Sequence, residues 1–287
     1  MADALFEHPR LAAIYDALDA DRSDLDVYLA IADELGARLV LDVGCGTGTF
    51  AVLLAELRRA DPARPVRQRH PTRDVEAFGS SGNRPVSLAD RLPGQRGLDV
   101  TGVDPAAGSL RIARAKPGAE HVRWLHGDAT TLPPMQVDLA TMTGNVAQAI
   151  TDSAGWAGTL RGTYHALRPD GTLVLETRDP ARRAWREWTR PASYRSTEIP
   201  GVGRVESWEQ VTDVSGPLVS FRATRVFAAD GAVLTSDSVL RFRERDEVAA
   251  DLVAAGYVVD EVRDAPDRPG REFVFLARRP AQPKGIG

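Results

Sequence analysis

The sequence predicts an α/β fold built on a parallel sheet that ends in antiparallel strands. Three observations carry that expectation. An apolar stretch of strand length, residues 39–43, stops at Gly44, Gly46 and Gly48 and passes directly into a helical pattern of Phe50, Leu53, Leu54 and Leu57. Strand-like and helix-like segments then alternate to position 176, which is the pattern of a layered α/β domain. The last two apolar runs, 257–262 and 271–277, are too close together for a crossover helix and read as a hairpin.

Taken in order, Leu11, Ile14, Tyr15 and Leu18 repeat at helical spacing, and Ser23 or Asp24 caps a second helix carrying Leu25, Tyr28, Leu29, Ala32 and Leu35 and closed by Gly36. The strand and glycine turn at 39–48 form a ligand cradle. Glycines leave no Cβ between a ligand and the backbone, and the helix that opens there offers free N–H groups. Residues 58–96 carry nine arginines against four acids, several prolines and glycines, and no sustained periodicity, so they are expected to be a disordered insertion. Beyond them, 98–103 is a strand ending at Asp104-Pro105, followed by a helix through Leu110, Ile112 and Ala113 and a short strand at 121–126 running into Gly127-Asp128-Ala129. The fourth strand is 137–142, with Thr143-Gly144-Asn145 at its end. A helix at 153–167 leads through Arg168-Pro-Asp-Gly171 to the fifth strand, 172–176. Arg178 opens a helix-like stretch that includes Trp185 and Trp188. Three alternating segments at 202–214, 218–227 and 232–243, separated by Gly216-Pro217 and Asp230-Gly231, form an antiparallel meander before a helix at 246–255.

A dinucleotide-binding fingerprint would need glycine at position 49, which is Thr49. The run Asp42-Val-Gly44-Cys-Gly46-Thr-Gly48 instead resembles motif I of the class I S-adenosylmethionine (SAM) dependent methyltransferases, and Leu-Arg168-Pro-Asp-Gly-Thr-Leu-Val-Leu-Glu176 resembles their small-molecule members' post-motif. The resemblance implies a Rossmann-like seven-stranded mixed sheet in the order 3-2-1-4-5-7-6, flanked by helices and carrying the meander as an insertion. It also implies SAM as cofactor, with S-adenosylhomocysteine (SAH) as product. The cofactor's ammonium would lie near Asp42 and its methionine part along Gly44, Cys45, Gly46 and Gly48. Asp104, with Pro105, would receive the ribose hydroxyls at a strand end. Asp128 and Ala129 would meet the adenine, and Thr143 and Gly144 would face the transferable methyl group. Tyr15, Asn145, Arg178, Trp185 and Trp188 are candidate substrate contacts, and Tyr28 is a second aromatic that would line the pocket. No residue stands out as a base; His8, Tyr15 and His165 are the candidates.

The implied organisation is an N-terminal pair of lid helices at 1–36, a cofactor-binding core at 37–180 and 246–280 interrupted by 58–96, and a substrate-side insertion at 181–245. A net charge of −4 gives no general attraction to nucleic acid or an anionic membrane, and no apolar stretch has membrane-spanning length. The start lacks a signal-peptide pattern, so the expected location is the cytoplasm. The single cysteine, Cys45, forms no disulfide or metal cluster and is a small filler in the turn, and no metal site is expected. The nucleobase amino-methyltransferase motif and the Pro-Cys of the cytosine C5 enzymes are absent. The expected activity is methyl transfer to O, N or C of a small-molecule metabolite. The alternatives are an RNA or protein methyltransferase tethered by the basic insertion, or a SAM-binding regulatory module without turnover. The sequence leaves the oligomeric state open.

Overall fold

The computed structural model describes residues 2–57 and 98–281, so the expected disordered insertion at 58–96 lies outside the described residues. Two short helices, α1 (Ala4–Glu7) and α2 (Pro9–Leu18), precede a 3₁₀ turn at Ser23–Leu25 and α3 (Asp26–Glu34). His8 caps α2 by accepting the Arg10 N–H through Nδ1, and Pro9 supplies a first-turn residue without an N–H to satisfy. The nucleotide-fold pattern then runs β1 (Leu39–Val43), α4 (Thr49–Glu56), β2 (Asp99–Asp104), α5 (Ala107–Ala115), β3 (Val122–His126), β4 (Val137–Met142), α6 (Val146–Ala149), α7 (Ser153–Ala166) and β5 (Leu167–Arg178).

After β5 the chain makes 3₁₀ turns at Pro180–Arg182 and Ala184–Glu187 and a short helix, α8 (Arg190–Ser193). The helix expected around Trp185 and Trp188 does not form. Arg183 sits in the left-handed region at φ 48° and Pro191 restricts the residue before it, so each helical start is cut short. Four strands follow, β6 (Arg195–Ile199), β7 (Gly203–Ser215), β8 (Leu218–Phe227) and β9 (Val233–Arg241), then α9 (Arg245–Ala254), β10 (Val258–Asp264) and β11 (Glu272–Arg278). The meander therefore has one strand more than the sequence expectation. β6 is marked only by the Pro200-Gly201 turn that folds it back on β7, with Ile199 paired to Gly203.

The strands form a seven-stranded sheet in the order β3-β2-β1-β4-β5-β11-β10 and a four-stranded antiparallel sheet β6-β7-β8-β9. Counted within the large sheet alone, the order is the expected 3-2-1-4-5-7-6. β1 to β5 are mutually parallel, whereas β11 runs antiparallel to both β5 and β10. The central strands are apolar at consecutive positions because both faces are covered. Val40, Leu139, Val174 and Val274 face α3 and α4, while Leu41, Met142, Leu173, Leu175 and Phe275 face α7 and α9. β1 and β4 are adjacent, yet the helices that follow them lie on opposite faces, so their C-terminal ends diverge.

The small sheet is joined to the large one through the N-terminal helices. Ile14 of α2 packs with Ile199, Val205 and Phe227, and Arg10 stacks 3.9 Å from the Phe227 ring centroid while pairing with Asp230 at 2.9 Å. On α1, the Leu5 N–H donates to Ser236 Oγ at 2.9 Å. Among the described residues no helix is long and apolar enough to cross a membrane. Phe227 is the largest side chain in this junction and 1% exposed, so Phe227→Ala should destabilise the protein by about 3–5 kcal/mol in urea unfolding. Retention of wild-type stability would mean that α2 is not anchored by the small sheet.

Candidate active site

The candidate site residues collect at the C-terminal ends of the parallel strands, where β1 and β4 diverge. The glycine turn is held by its own backbone: Gly44 N–H and Cys45 N–H both donate to Val103 O, at 2.8 and 3.1 Å, and Gly48 N–H donates to Cys45 O at 2.8 Å. A Cβ at Gly48 would lie 2.4 Å from Trp124 Cη2, and one at Gly44 would lie 2.5 Å from a Val146 methyl. Gly46 differs, because a Cβ there would meet nothing within 4 Å. Packing thus requires two of the three glycines, while the middle one opens the backbone to a ligand. Cys45 is buried, its sulfur lies against Gly102, and burial pushes its thiol up, so it is a packed small residue.

Asp42 is 1% exposed; its Oδ1 accepts from the Thr141 hydroxyl at 3.0 Å and its Oδ2 has no partner among the described residues. Burial pushes its pKa up to about 7, against the Thr141 hydrogen bond, with the Asp104 charge adding to the rise. A buried carboxylate oxygen with no donor is the feature a cationic ligand group would satisfy. Asp104 is the neighbouring anchor. Its Oδ2 accepts from Gly46 N–H at 2.8 Å and its Oδ1 from Ala106 N–H at 2.7 Å, so one carboxylate ties the turn after β1 to the turn after β2. Burial nonetheless holds its pKa above the ordinary carboxylate range. Each oxygen keeps a further acceptor site for a ligand hydroxyl.

Pro105 is exposed beside Asp104, and its carbonyl lies 3.0 Å from His126 Nε2. Asp128 is exposed and caps its own turn, accepting from Thr130 N–H at 2.8 Å, while Ala129 is buried behind it. After β4, Gly144 is exposed and a Cβ there would meet nothing within 4 Å, as at Gly46, while Thr143 is half-buried. Asn145 is buried at φ 59°, and its N–H donates to Glu176 Oε1 at 2.8 Å. The other oxygen of Glu176 accepts a short hydrogen bond from the Tyr28 hydroxyl. Tyr28 is therefore a core residue that fixes Glu176 and does not line the pocket. Burial raises the Glu176 pKa, and the nearby Glu272 charge raises it further.

Several residues of the site carry no motif. Asp16 of α2 accepts from the hydroxyls of Thr47 at 2.6 Å and Thr49 at 3.1 Å and pairs with Lys116 at 2.7 Å, which latches the N-terminal helix to the glycine turn. Glu7 Oε2 accepts from Gly108 N–H at 3.2 Å, and Ser109 Oγ donates to Phe6 O at 3.0 Å, so α1 docks on the start of α5. The neighbouring Tyr15 packs against Phe6 with centroids 5.5 Å apart, and burial raises its hydroxyl. Arg178, at the end of β5, donates to Gln148 Oε1 at 3.0 Å. Trp188 lies 5.8 Å from the Arg178 guanidinium and packs on Phe221, while Trp185 packs on Phe242 at 4.5 Å. His165 lies exposed near the C-terminal end of α7, which enters the opposite end of β5, and is therefore not part of the site. Among the described residues no group of acids, histidines or cysteine has metal-holding geometry.

Residues 79–171 match the family model of a methyltransferase domain, a stretch that begins after the glycine turn and includes Asp104, Asp128 and Asn145. This stretch is thus similar to methyltransferase domains, and the fold is shared with SAM-dependent methyltransferases of known structure. The methyltransferase fold extends over nearly the whole chain. The sugar N-methyltransferase KedS8 from Streptoalloteichus sp. superposes with a TM-score of 0.65 at 20% identity, covering 98% of this chain and 96% of that one. The CcbJ methyltransferase from Streptomyces caelestis gives 0.63 at 17% identity, with 94% and 97% covered. SAM-bound CalS10, an amino pentose methyltransferase from Micromonospora echinaspora, gives 0.60 at 21% identity, with 93% and 96% covered. A sequence search of curated proteins gave no match.

The latch can be measured as a coupling. Asp16→Asn and Lys116→Met, singly and together, should show about 1 kcal/mol of interaction in a double-mutant cycle of unfolding, because the pair is only partly exposed. Strict additivity would remove Lys116 from the latch.

Proposed function

We propose that this methyltransferase transfers the methyl group of SAM to an amine nitrogen of a small polar metabolite. The observation that carries the reading is the meeting of Asp42, the open face of Gly46 and Asp104 at the ends of two adjacent parallel strands. Asp42, whose Oδ2 lacks a donor, would hold the cofactor's ammonium, the turn from Gly44 to Gly48 its methionine part, and Asp104 its ribose hydroxyls. Asp128 and the Ala129 backbone would border the adenine, and Thr143 and Gly144 the sulfonium. Bound SAM supplies an activated methyl group on a positive sulfur, so the protein's share of catalysis is alignment and exclusion of water.

The preference for nitrogen rests on which bases the site lacks. An alcohol acceptor would want a base near its hydroxyl, whereas a neutral amine already has a free lone pair. Glu176 is engaged on both oxygens, His165 is remote, the His8 ring caps α2, and burial makes Tyr15 a poorer base. KedS8, a sugar N-methyltransferase, and CalS10, an amino pentose methyltransferase, agree with this choice. In this reading α1 to α3 form a lid, the core spans 37–180 and 246–280, and residues 181–245 form the wall over the acceptor, with Tyr15, Asn145, Arg178, Trp185 and Trp188 facing it.

Calorimetric titration of SAM and SAH is the direct test. Asp104→Ala should weaken both by about 1–3 kcal/mol, roughly 5- to 150-fold, through lost ribose hydrogen bonds. Unchanged affinity would take Asp104 out of the site.

A second measurement follows from Asp42. In the free protein its carboxyl keeps a proton up to about pH 7. A cation on Oδ2 lowers that pKa, so the bound state holds fewer protons than the free state, and SAM affinity should rise with pH toward about 7. Calorimetry below that pH, in buffers of different ionisation enthalpy, should show a released proton that disappears in Asp42→Asn. Equal proton release in Asp42→Asn would assign the proton to another group. Labelled SAM offered with matched amine and alcohol acceptors should label the amines.

A further inference from the structure

We propose that the methyl acceptor carries an oxyanion, a carboxylate or a phosphate, and that Arg178 and Tyr15 hold it beneath Trp188. This inference deepens the functional reading above and rests on it. Arg178 is the last residue of β5, at the strand end where the acceptor must approach the methyl group. Its guanidinium is only partly engaged by the protein, through Gln148 and the nearby Glu272 and Glu176 carboxylates. Nη1 donates to Gln148 Oε1 at 3.0 Å, Nε stands 3.7 Å from Glu272, and Nη2 has no partner among the described residues. Glu272 is already paired with Arg268 at 2.8 Å, so it does not need Arg178 as its counter-ion. The Arg178 side chain is 23% exposed, which leaves one edge of the planar fork reachable. A guanidinium edge with free N–H groups matches the two oxygens of a carboxylate or phosphate.

Tyr15 of α2, which packs on Phe6, would supply a second donor. Its hydroxyl has no hydrogen-bond partner among the described residues, and it is close enough to Arg178 for that charge to act on it. The Arg22 guanidinium also acts on Tyr15 but is taken by Asp24 at 3.2 Å, so Arg178 is the cation left over. Beyond Arg178 the surface continues in the same character. Trp188, 5.8 Å from the Arg178 guanidinium, also lines a cleft of about 400 Å³ together with Trp185, Arg186 and Arg190, and no acid lines that cleft. Aromatic faces and cations without a carboxylate favour an anion attached to an apolar or planar body.

The inference is tested by titrating acetate, and separately inorganic phosphate, into the SAH-saturated full-length protein, with chloride at equal ionic strength as reference. The expected result is saturable binding of at least one anion above the chloride reference, weakened tenfold or more in Arg178→Met and about threefold in Tyr15→Phe. Acetate alone would assign a carboxylate and phosphate alone a phosphate ester. An equal response to chloride, or wild-type anion affinity in Arg178→Met, overturns the inference. Should Arg178→Met not fold, Tyr15→Phe, which removes one oxygen, decides by the same criterion. Absence of SAH binding removes the functional reading and this inference together, whereas a protein that binds SAH but neither anion removes this inference alone.

Discussion

The site depends on the reversal of strand order at β1. Parallel strands need crossover helices, and a chain that adds β2 and β3 on one side of β1 and β4 and β5 on the other must place those helices on opposite faces. α4 therefore packs on the Val40 face and α7 on the Leu41 face, and the loops after β1 and β4 part. The crevice between them is where Gly46 and Gly144, each with open space where a Cβ would be, lie at neighbouring strand ends. Asp42, Asp104 and Asn145 come together there because β1, β2 and β4 end on that side.

Such a crevice holds a ligand only if its walls are stiff, and each wall is pinned by a hydrogen-bonded acid. The Asp104 carboxylate receives N–H groups from two different turns and so sets the distance between them. Glu176 does the same on the far side, receiving the Tyr28 hydroxyl from α3 and the Asn145 N–H that keeps the loop after β4 in its left-handed conformation. Asp16 closes the third side by gathering two threonine hydroxyls and Lys116 onto α2. Burying Asp104 and Glu176 is costly unless each is hydrogen-bonded, and both are, while Asp16 stays partly exposed. Asp42 is the exception on one oxygen, and it is the acid that the ligand's charge would complete.

The family resemblance implied the core sheet and its order, and the structure agrees, because strand-length apolar runs buried on both faces leave a plain signal. The meander was legible from Asp230-Gly231 and its alternation. β6 was not, since five residues with mostly exposed side chains show too little alternation and only Pro200-Gly201 marked its turn. The stretch around Trp185 looked helical by spacing alone, and backbone constraints at Arg183 and Pro191 broke it into single turns. Tyr28 and Tyr15 were indistinguishable as aromatics on amphipathic helices; one is locked to Glu176 in the core and the other packs on Phe6 of α1.

By itself the sequence determined the glycine turn, the acids at the strand ends and the alternation of elements, because each is a local pattern whose physical meaning survives without its surroundings. A glycine turn needs no distant partner to be a glycine turn. Only the tertiary structure decided that Asp16 latches α2 to the glycine turn, that Gln148 and Glu272 leave one edge of Arg178 free, and that His165 lies near the end of α7, away from the strand ends that gather the site residues. Those roles belong to pairs separated by thirty to more than a hundred residues, as Asp16 is from Thr47 and Glu176 from Tyr28. Partners so far apart in the chain follow no spacing rule, and only packing brings them together.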